Sequence, residues 1–307
     1  MGRRLHTFAK RTRIRGLIVG CGYVGKRLAE RLANHWDLHA IVRSGSSARN
    51  MPGLALTPVD LDVCEPPPEL VRAARNAMVL YLVPPPGQGV SDSRLERFLG
   101  SLGSAVPAMI LYMSTTGVYG DCGGSLVNEQ SPTRPGNDAA RRRVAAENCV
   151  AQFCDANRCR SVVFRVPGIY GPGRLPIARL TRGEPIIRPQ DAPPGNRIHV
   201  DDLVSACVAA AQQPVSGTFN ISDGNHASST AFIEATASLA GLPPPRQIPA
   251  AEARGQISPG MLSFLCESRR VDNRRMLEEL NFPLRYADYR IGIRASLSEA
   301  TTPVDKQ

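Results

Sequence analysis

From residue 14 onward, short runs of β-branched and aliphatic residues alternate with stretches whose apolar positions recur every three to four residues. The runs cover 17–19, 38–42, 77–83, 109–113 and 161–166. Between them Val24, Leu28 and Leu32 fall at i, i+4 and i+8, Leu95, Phe98, Leu99 and Leu102 share one helical face, and 138–157 reads as one long helix. Strands alternating with helices predict βαβ units, and so an α/β fold with a doubly wound parallel sheet. Beyond Pro167 the texture changes to Pro- and Gly-rich loops around a helix at 203–212, a strand at 217–221 and helices near 230–240 and 273–280. This predicts three regions: a disordered basic extension over 1–13, a sheet domain over 14–166, and a smaller C-terminal α/β lobe over 167–300 interleaved with it. The proline triplets at 66–68, 84–86 and 243–245 read as loop punctuation.

At 307 residues, 42% apolar and 21% charged, the chain can bury a large core, which excludes disorder or a coiled coil as a description of the whole. Its longest apolar stretch is the nine residues 105–113, so no helix is expected to span a membrane. The net charge is +10, but Arg3, Arg4, Lys10, Arg11, Arg13 and Arg15 place +6 of it in the first fifteen residues. The excess is therefore a tail, open to a solvated extension, an RNA-binding arm or a transit segment. Without basic and aromatic interleaving further on, nucleic acid is not expected as a partner. The eight cysteines contain no Cys-x-x-Cys pair, which predicts reduced thiols, no metal site and a cytoplasmic protein.

Gly20-Cys21-Gly22-Tyr23-Val24-Gly25 directly follows the first strand and opens the first helix. In that position the first glycine allows the tight turn, the second lets backbone approach a pyrophosphate, and the third lets helix meet strand, while the helix N-terminus faces the negative charge. The expected ligand is a dinucleotide, on a Rossmann-type domain. Where an NAD-preferring site carries Asp or Glu at the end of the second strand, this chain has Arg43-Ser44. A guanidinium there can clamp a 2′-phosphate, so NADP(H) is expected over NAD(H), with an ordinary surface arginine as the plain alternative.

Together with that motif, Asp60-Leu61-Asp62, Ser114-Thr115-Thr116-Gly117-Val118-Tyr119-Gly120, the run from Arg165 to Arg174 and Arg197-Ile198-His199-Val200-Asp201-Asp202-Leu203 stand in order along the chain. In these motifs the chain resembles the extended short-chain dehydrogenase/reductases, the epimerase/dehydratase superfamily, over about residues 14 to 297, and most closely the atypical branch. The resemblance implies that Asp60 and Leu61 lie along the adenine, Val83 and Pro84 beside the cofactor ribose, and Pro167 to Tyr170 near the nicotinamide. It also implies a homodimer that pairs the helices at 94–102 and 141–157. Asp201 or Asp202 is read as the N-cap of the helix at 203–212, and His199 as its structural neighbour.

In this superfamily a Ser or Thr, a Tyr, and a Lys four residues after the Tyr move the proton while the nicotinamide moves the hydride. The phenol needs an adjacent cation to lower its pKa. Thr115 fits the hydroxyl position, but the Tyr position is Ala139 and the Lys position is Arg143. The chain has only Lys10, Lys26 and Lys306, and none of its seven tyrosines has Lys at +4. Arg143 can hold ribose hydroxyls but does not deprotonate, so it cannot replace the lysine in a proton relay. Thr116-Gly117 also lack the acidic pair of sugar-nucleotide dehydratases. Tyr119, Tyr170 and His199 remain as candidate acids, each with packing as its plainer role. The short segment 174–186 leaves little room for a nucleotide-gripping helix, so any substrate should be small. Two functions follow: an NADP(H)-dependent oxidoreductase or epimerase-like enzyme acting through Thr115 and a nonstandard acid on a small carbonyl or sugar-type compound, or a non-catalytic NADP(H)-binding sensor or scaffold.

Overall fold

The computed structural model describes residues 13–45, 54–257 and 267–301. The disorder expected of the basic extension falls on residues outside these, apart from Arg13. Seven strands form one parallel sheet: β1 (Ile14–Val19), β2 (Trp36–Val42), β3 (Ala55–Pro58), β4 (Met78–Tyr81), β5 (Met109–Thr115), a strand at Arg160–Val166 and an edge strand at Gly217–Asn220. Their spatial order runs from Gly217–Asn220 through Arg160–Val166, β5, β4, β1 and β2 to β3. Leu17, Ile18, Val19, Ile110 and Leu111 are fully buried because helices cover both faces, which is why these strands read as continuous apolar runs.

Helix α1 (Tyr23–Leu32) buries Leu28, Ala29 and Leu32. Helix α2 (Pro68–Ala74) begins on the third residue of a proline triplet, which the sequence reading treats as loop. A proline at the first helical position gives up an N–H that would be unpaired anyway, so the triplet ends one segment and starts the next. In α3 (Ser93–Leu102) the Asp92 carboxylate caps the first turn by accepting from the Leu95 N–H at 3.1 Å. Helix α4 (Asp138–Asn157) has the expected bounds, capped by Asn137, whose Oδ1 accepts from the Ala140 N–H at 2.9 Å.

The second lobe contains two small parallel strand pairs, Gly168–Tyr170 with Arg197–His199 and Ile186–Ile187 with Gln247–Ile248, and a third pair joins Leu126–Val127 of the first segment to Arg270–Val271. It carries α5 (Ile177–Thr181), α6 (Val200–Gln212), α7 (Ser229–Leu239) and two further helices, Arg274–Leu280 and Tyr289–Thr301. The chain beyond 167 also returns to the first domain. Gly217–Asn220 extends the main sheet, and α6 packs on α1.

The N-cap of α6 is a correction to the sequence reading. It is His199, whose Nδ1 accepts from the Asp201 N–H at 3.2 Å, and not Asp201 or Asp202. Asp202 is buried and instead accepts from the Arg285 and Tyr286 N–H groups at 2.8 and 2.9 Å, while Asp201 faces Arg27 at 3.1 Å. The helix starts earlier than expected, so Asp201 and Asp202 sit two and three positions past the cap. Among the described residues no helix is long and apolar enough to cross a membrane. Among the described residues seven cysteines form no disulfide, and Cys266 lies outside them.

Candidate active site

The sheet order reverses direction between β4 and β1, and the crevice at their C-terminal ends is where such folds hold a dinucleotide. The three motif glycines are required there for three different reasons. Gly20 has φ +96°, and a Cβ on it would lie 2.8 Å from Val83 Cγ2 and 3.0 Å from the Val83 nitrogen. A Cβ on Gly25 would lie 2.7 Å from the Gly20 oxygen, at the helix–strand contact. A Cβ on Gly22 would meet nothing within 4 Å, since it would stand in the open groove. The first intrahelical bond of α1 runs from the Lys26 N–H to the Gly22 oxygen, so the N–H groups of Tyr23, Val24 and Gly25 at the helix start have no intrahelical acceptor. Open room at the second glycine and unpaired donors beside it fit a pyrophosphate.

At one end of the groove a cavity of about 300 Å³ is lined by Gly20, Gly22, Arg43, Asp60, Leu61, Val83 and Pro84, all named from sequence, and also by Asp62 and Arg94. Ser44 does not line it. The Arg43 side chain is 74% exposed and its Nη2 stands 3.4 Å from an Asp62 oxygen. Arg94 binds the same carboxylate in a fork, at 2.7 Å from Nε and 2.6 Å from Nη2. That hydrogen-bonded guanidinium holds the Asp62 carboxyl below the usual carboxylate range. Asp62 is already neutralised by Arg94, so Arg43 is left with a long, solvent-facing contact. A second group can replace that contact at little cost.

Toward the other end a cavity of about 490 Å³ shares Gly20, Gly22 and Pro84 with the first and adds Tyr23, Val24, Gly25, Thr115, Arg143 and Pro167. A third, of about 590 Å³, shares Thr115, Arg143 and Pro167 and adds Ala139, Asn137, Glu267 and Arg269. The predicted site residues other than Ser44 thus line one continuous groove. Thr115 ends β5, and its Oγ1 accepts from the Gly117 N–H at 3.1 Å, which leaves its own proton to donate. Arg143 Nη1 donates to the Met113 carbonyl at 2.5 Å and to the Tyr112 hydroxyl at 3.2 Å. Ala139 lies one helical turn before it on α4 and lines the same cavity.

The three candidate acids lie outside the groove. Tyr119 is fully buried, donating to Asn220 Oδ1 at 2.8 Å and accepting from Arg165 Nη1 at 3.0 Å. Arg165 is in turn paired with Glu147 at 2.8 Å. Tyr170 is buried edge-on to His199, with ring centroids 5.1 Å apart, and burial pushes its phenol well above the ordinary range. His199 Nε2 lies 3.2 Å from Ser296 Oγ, which itself donates to the Gly292 carbonyl at 2.6 Å. Nε2 is therefore the protonated nitrogen and Nδ1 the acceptor of the cap, a neutral ring. Burial pushes its pKa down to about 4.

Sequence reasoning did not find two features. Asp62 with Arg94 lines the cavity that Arg43 also lines, although Asp62 lies in a quoted motif and only its arginine partner is distant. In the cavity that contains Thr115 and Ala139, Glu267 accepts from Asn137 Nδ2 at 3.2 Å and pairs with Arg269 Nη1 at 2.8 Å. Arg269 also donates to the Gly120 carbonyl at 2.6 Å. No motif marks Glu267, and only the fold brings it to Asn137. Among the described residues no cluster of His, Cys, Asp and Glu could hold a metal ion.

Among known proteins, the chain is 27% identical over 161 residues to the 3-diazoavenalumate denitrifying reductase of Streptomyces sp, a match over 50% of this chain and 52% of that one. The chain thus aligns with about half the length of that curated relative. Among solved structures, a conserved protein of unknown function from Silicibacter pomeroyi DSS is 30% identical, with a TM-score of 0.79 over 94% of this chain and 99% of that one. The dTDP-glucose 4,6-dehydratase of Bacillus anthracis str. Ames, in complex with NAD, has a TM-score of 0.71 at 14% identity over 93% and 96% of the two chains. That likeness is one of fold alone. The NAD dependent epimerase/dehydratase family matches residues 17–222, two thirds of the chain, with the glycine motif, Thr115 and the strand ends that line the groove all inside the match, and the chain belongs to that family.

Proposed function

We propose that this protein is an NADP(H)-dependent oxidoreductase that exchanges hydride with a small electrophilic substrate, a carbonyl or sugar-type compound in the first instance, bound at Thr115. The observation that carries this reading is the unbroken groove from Arg43 past Gly22 to Thr115 and Ala139. A bound nicotinamide supplies or accepts the hydride. Arg43 takes the 2′-phosphate in place of its long contact to Asp62, and Gly22 leaves room for the pyrophosphate. Asp60 and Leu61 flank the adenine, while Val83 and Pro84 flank the ribose. Arg143 donates toward the second ribose, and Thr115 donates its free proton toward the substrate. Ala139 supplies no phenol, which favours an acceptor electron-poor enough to take hydride before it is protonated. The diazo compound for which the Streptomyces reductase is named is an acceptor of that kind. The protein is read as a cytoplasmic homodimer pairing α3 and α4, with no role for nucleic acid.

The test is fluorescence titration with NADPH and NADH, followed by NADPH oxidation across a panel of small carbonyl and diazo compounds. NADPH should bind more tightly, and Thr115→Ala should lower turnover without changing cofactor affinity. The second reading, a non-catalytic NADP(H) sensor or scaffold, rests on Ala139 and on Arg143 being engaged by Met113 and Tyr112. Tight NADPH binding with no turnover on any member of the panel, and none lost on Thr115→Ala, would favour it.

A further inference from the structure

A cavity of about 210 Å³ lies in the second lobe between α5 and α7, separate from the three that form the groove. Arg174, Arg179 and Arg197 line it, and Ile169, Phe232 and Ile233 give it an apolar wall. Ile169 and Arg174 also line the groove cavity that contains Thr115, and Gly168 also lines the one that contains Ala139, so it opens beside the reaction end.

None of its lining residues is a carboxylate. Arg174 stacks over the Tyr23 ring at 4.8 Å, and among the described residues it has no side-chain hydrogen bond or ion pair. Arg179 Nε is paired with Glu184 at 2.7 Å, but that carboxylate also binds Arg182 at 2.6 Å, so one negative charge serves two guanidiniums. Arg197 is 5% exposed, held between the rings of Phe232 and Tyr289 at 5.2 and 4.9 Å. Its Nη2 donates to the carbonyls of Ala227 and Ser228, while Nη1 has no partner. Asp223, the buried acid nearest in effect, forms no ion pair with it among the described residues. Burial pushes its carboxyl up to about 7, so it offsets the arginine only in part at neutral pH.

Three arginines lining a partly apolar cavity, one of them with a buried unpartnered Nη1 and all with their local negative charge incomplete, leave a site that an oxyanion would complete. We infer that this cavity binds the carboxylate of a small organic acid, and that the substrate is such an acid, its carboxylate among the arginines and its reacting atom at Thr115. The volume falls below the range of about 300–1,000 Å³ usual for drug-sized ligands, which suits a single acid group with a short apolar body and not a nucleotide. The identity of the substrate rests on the oxidoreductase reading; the anion site does not.

The experiment uses the full chain saturated with NADPH, titrated calorimetrically with benzoate, with benzyl alcohol as a neutral control and inorganic phosphate as the alternative oxyanion. Benzoate should bind in the presence of NADPH and more tightly than phosphate, and benzyl alcohol should not bind. Arg174→Met, on an exposed residue, and Arg179→Met, on a half-buried one, should each weaken benzoate about tenfold, with Arg179→Met leaving NADPH affinity unchanged. Displacement of benzoate by NADPH, equal binding of benzyl alcohol, or benzoate affinity unaltered in both variants would overturn the site. Tighter binding of phosphate would overturn its assignment to a carboxylate. Loss of NADPH binding with benzoate retained would count against the oxidoreductase reading alone.

Discussion

A Cβ on Gly22 would stand in open groove, whereas one on Gly20 or Gly25 would strike backbone, so substitutions within one motif separate the ligand from the fold. Gly22→Val should abolish NADPH binding by fluorescence titration and leave the thermal midpoint of the free protein close to wild type. Gly25→Val should lower that midpoint, because the Gly20 carbonyl cannot move out of its way. At the adenosine end, Asp62 keeps its fork to Arg94 when Arg43 is removed. Arg43→Ala should therefore cost NADPH about 1.5–3 kcal/mol, the value of a hydrogen bond to a charged group, and leave NADH nearly untouched. An undiminished NADPH preference in that variant would show that another group reads the 2′-phosphate. The same scale holds the question of the proton. Ala139 and Arg143 lie four apart on α4 and both line the cavity of Thr115. Ala139→Tyr with Arg143→Lys should thus place a phenol and a pKa-lowering cation beside that hydroxyl. A positioned general acid is worth about 10²- to 10⁴-fold, so the double variant should gain carbonyl reduction, and adding Thr115→Ala should remove the gain. A folded, NADPH-saturated double variant with no new activity would instead favour the sensor reading.

At the scale of the element, α6 is tied to the C-terminal helix through the ring of His199, which caps one and touches Ser296 of the other. The ring is neutral in the folded protein, with a pKa lowered to about 4 against an ordinary value near 6.5. The unfolded chain therefore binds the proton more readily. The stability held by the neutral ring is complete above about pH 6.5 and is lost as the pH falls toward 4. His199→Asn keeps an acceptor at the cap but does not titrate there. Its thermal midpoint should lie below wild type at pH 7.5, and the gap should narrow or reverse by pH 4.5. A constant gap across that range would show that the histidine does not titrate with folding. Elements of this kind were unequally legible in the sequence. The bounds of α4 could be read because a long helical period is local. The start of α2 could not, because a proline triplet marks a break as readily as a first turn, and the α6 cap was misplaced because two acids looked better suited than a histidine. In the site, Ala139 and Arg143 were visible as departures from a local spacing, and the glycines from their place after a strand. Glu267 beside Asn137 and Arg94 beside Asp62 were not, because long-range packing alone brings them together.

At the scale of the whole molecule, a division at 166/167 describes the groove but not the core. One apolar cluster joins Ile18, Leu28 and Trp36 from the first segment with Leu203, Cys207, Phe219, Met276 and Leu280 from the second. The edge strand Gly217–Asn220 pairs along Arg160–Val166, and α6 covers α1. Residues 14–166 alone would expose the face of α1 that α6 buries and leave the apolar strand Arg160–Val166 at the edge of a parallel sheet, a template for aggregation. The second segment alone would lose the sheet on which its edge strand is built. Folding of either segment is therefore coupled to the other, and the chain should unfold as a single unit. Trp36, 3% exposed and the only tryptophan, reports on the first segment, while far-UV circular dichroism reports on helices of both. In urea the two signals should give one coincident transition, and the 14–166 fragment should be aggregated or unfolded, with the emission of a solvent-exposed tryptophan. Two separated transitions, or a soluble fragment that keeps Trp36 buried and binds NADPH, would show instead that the first domain is self-sufficient and that the returning strand and helix only cover it.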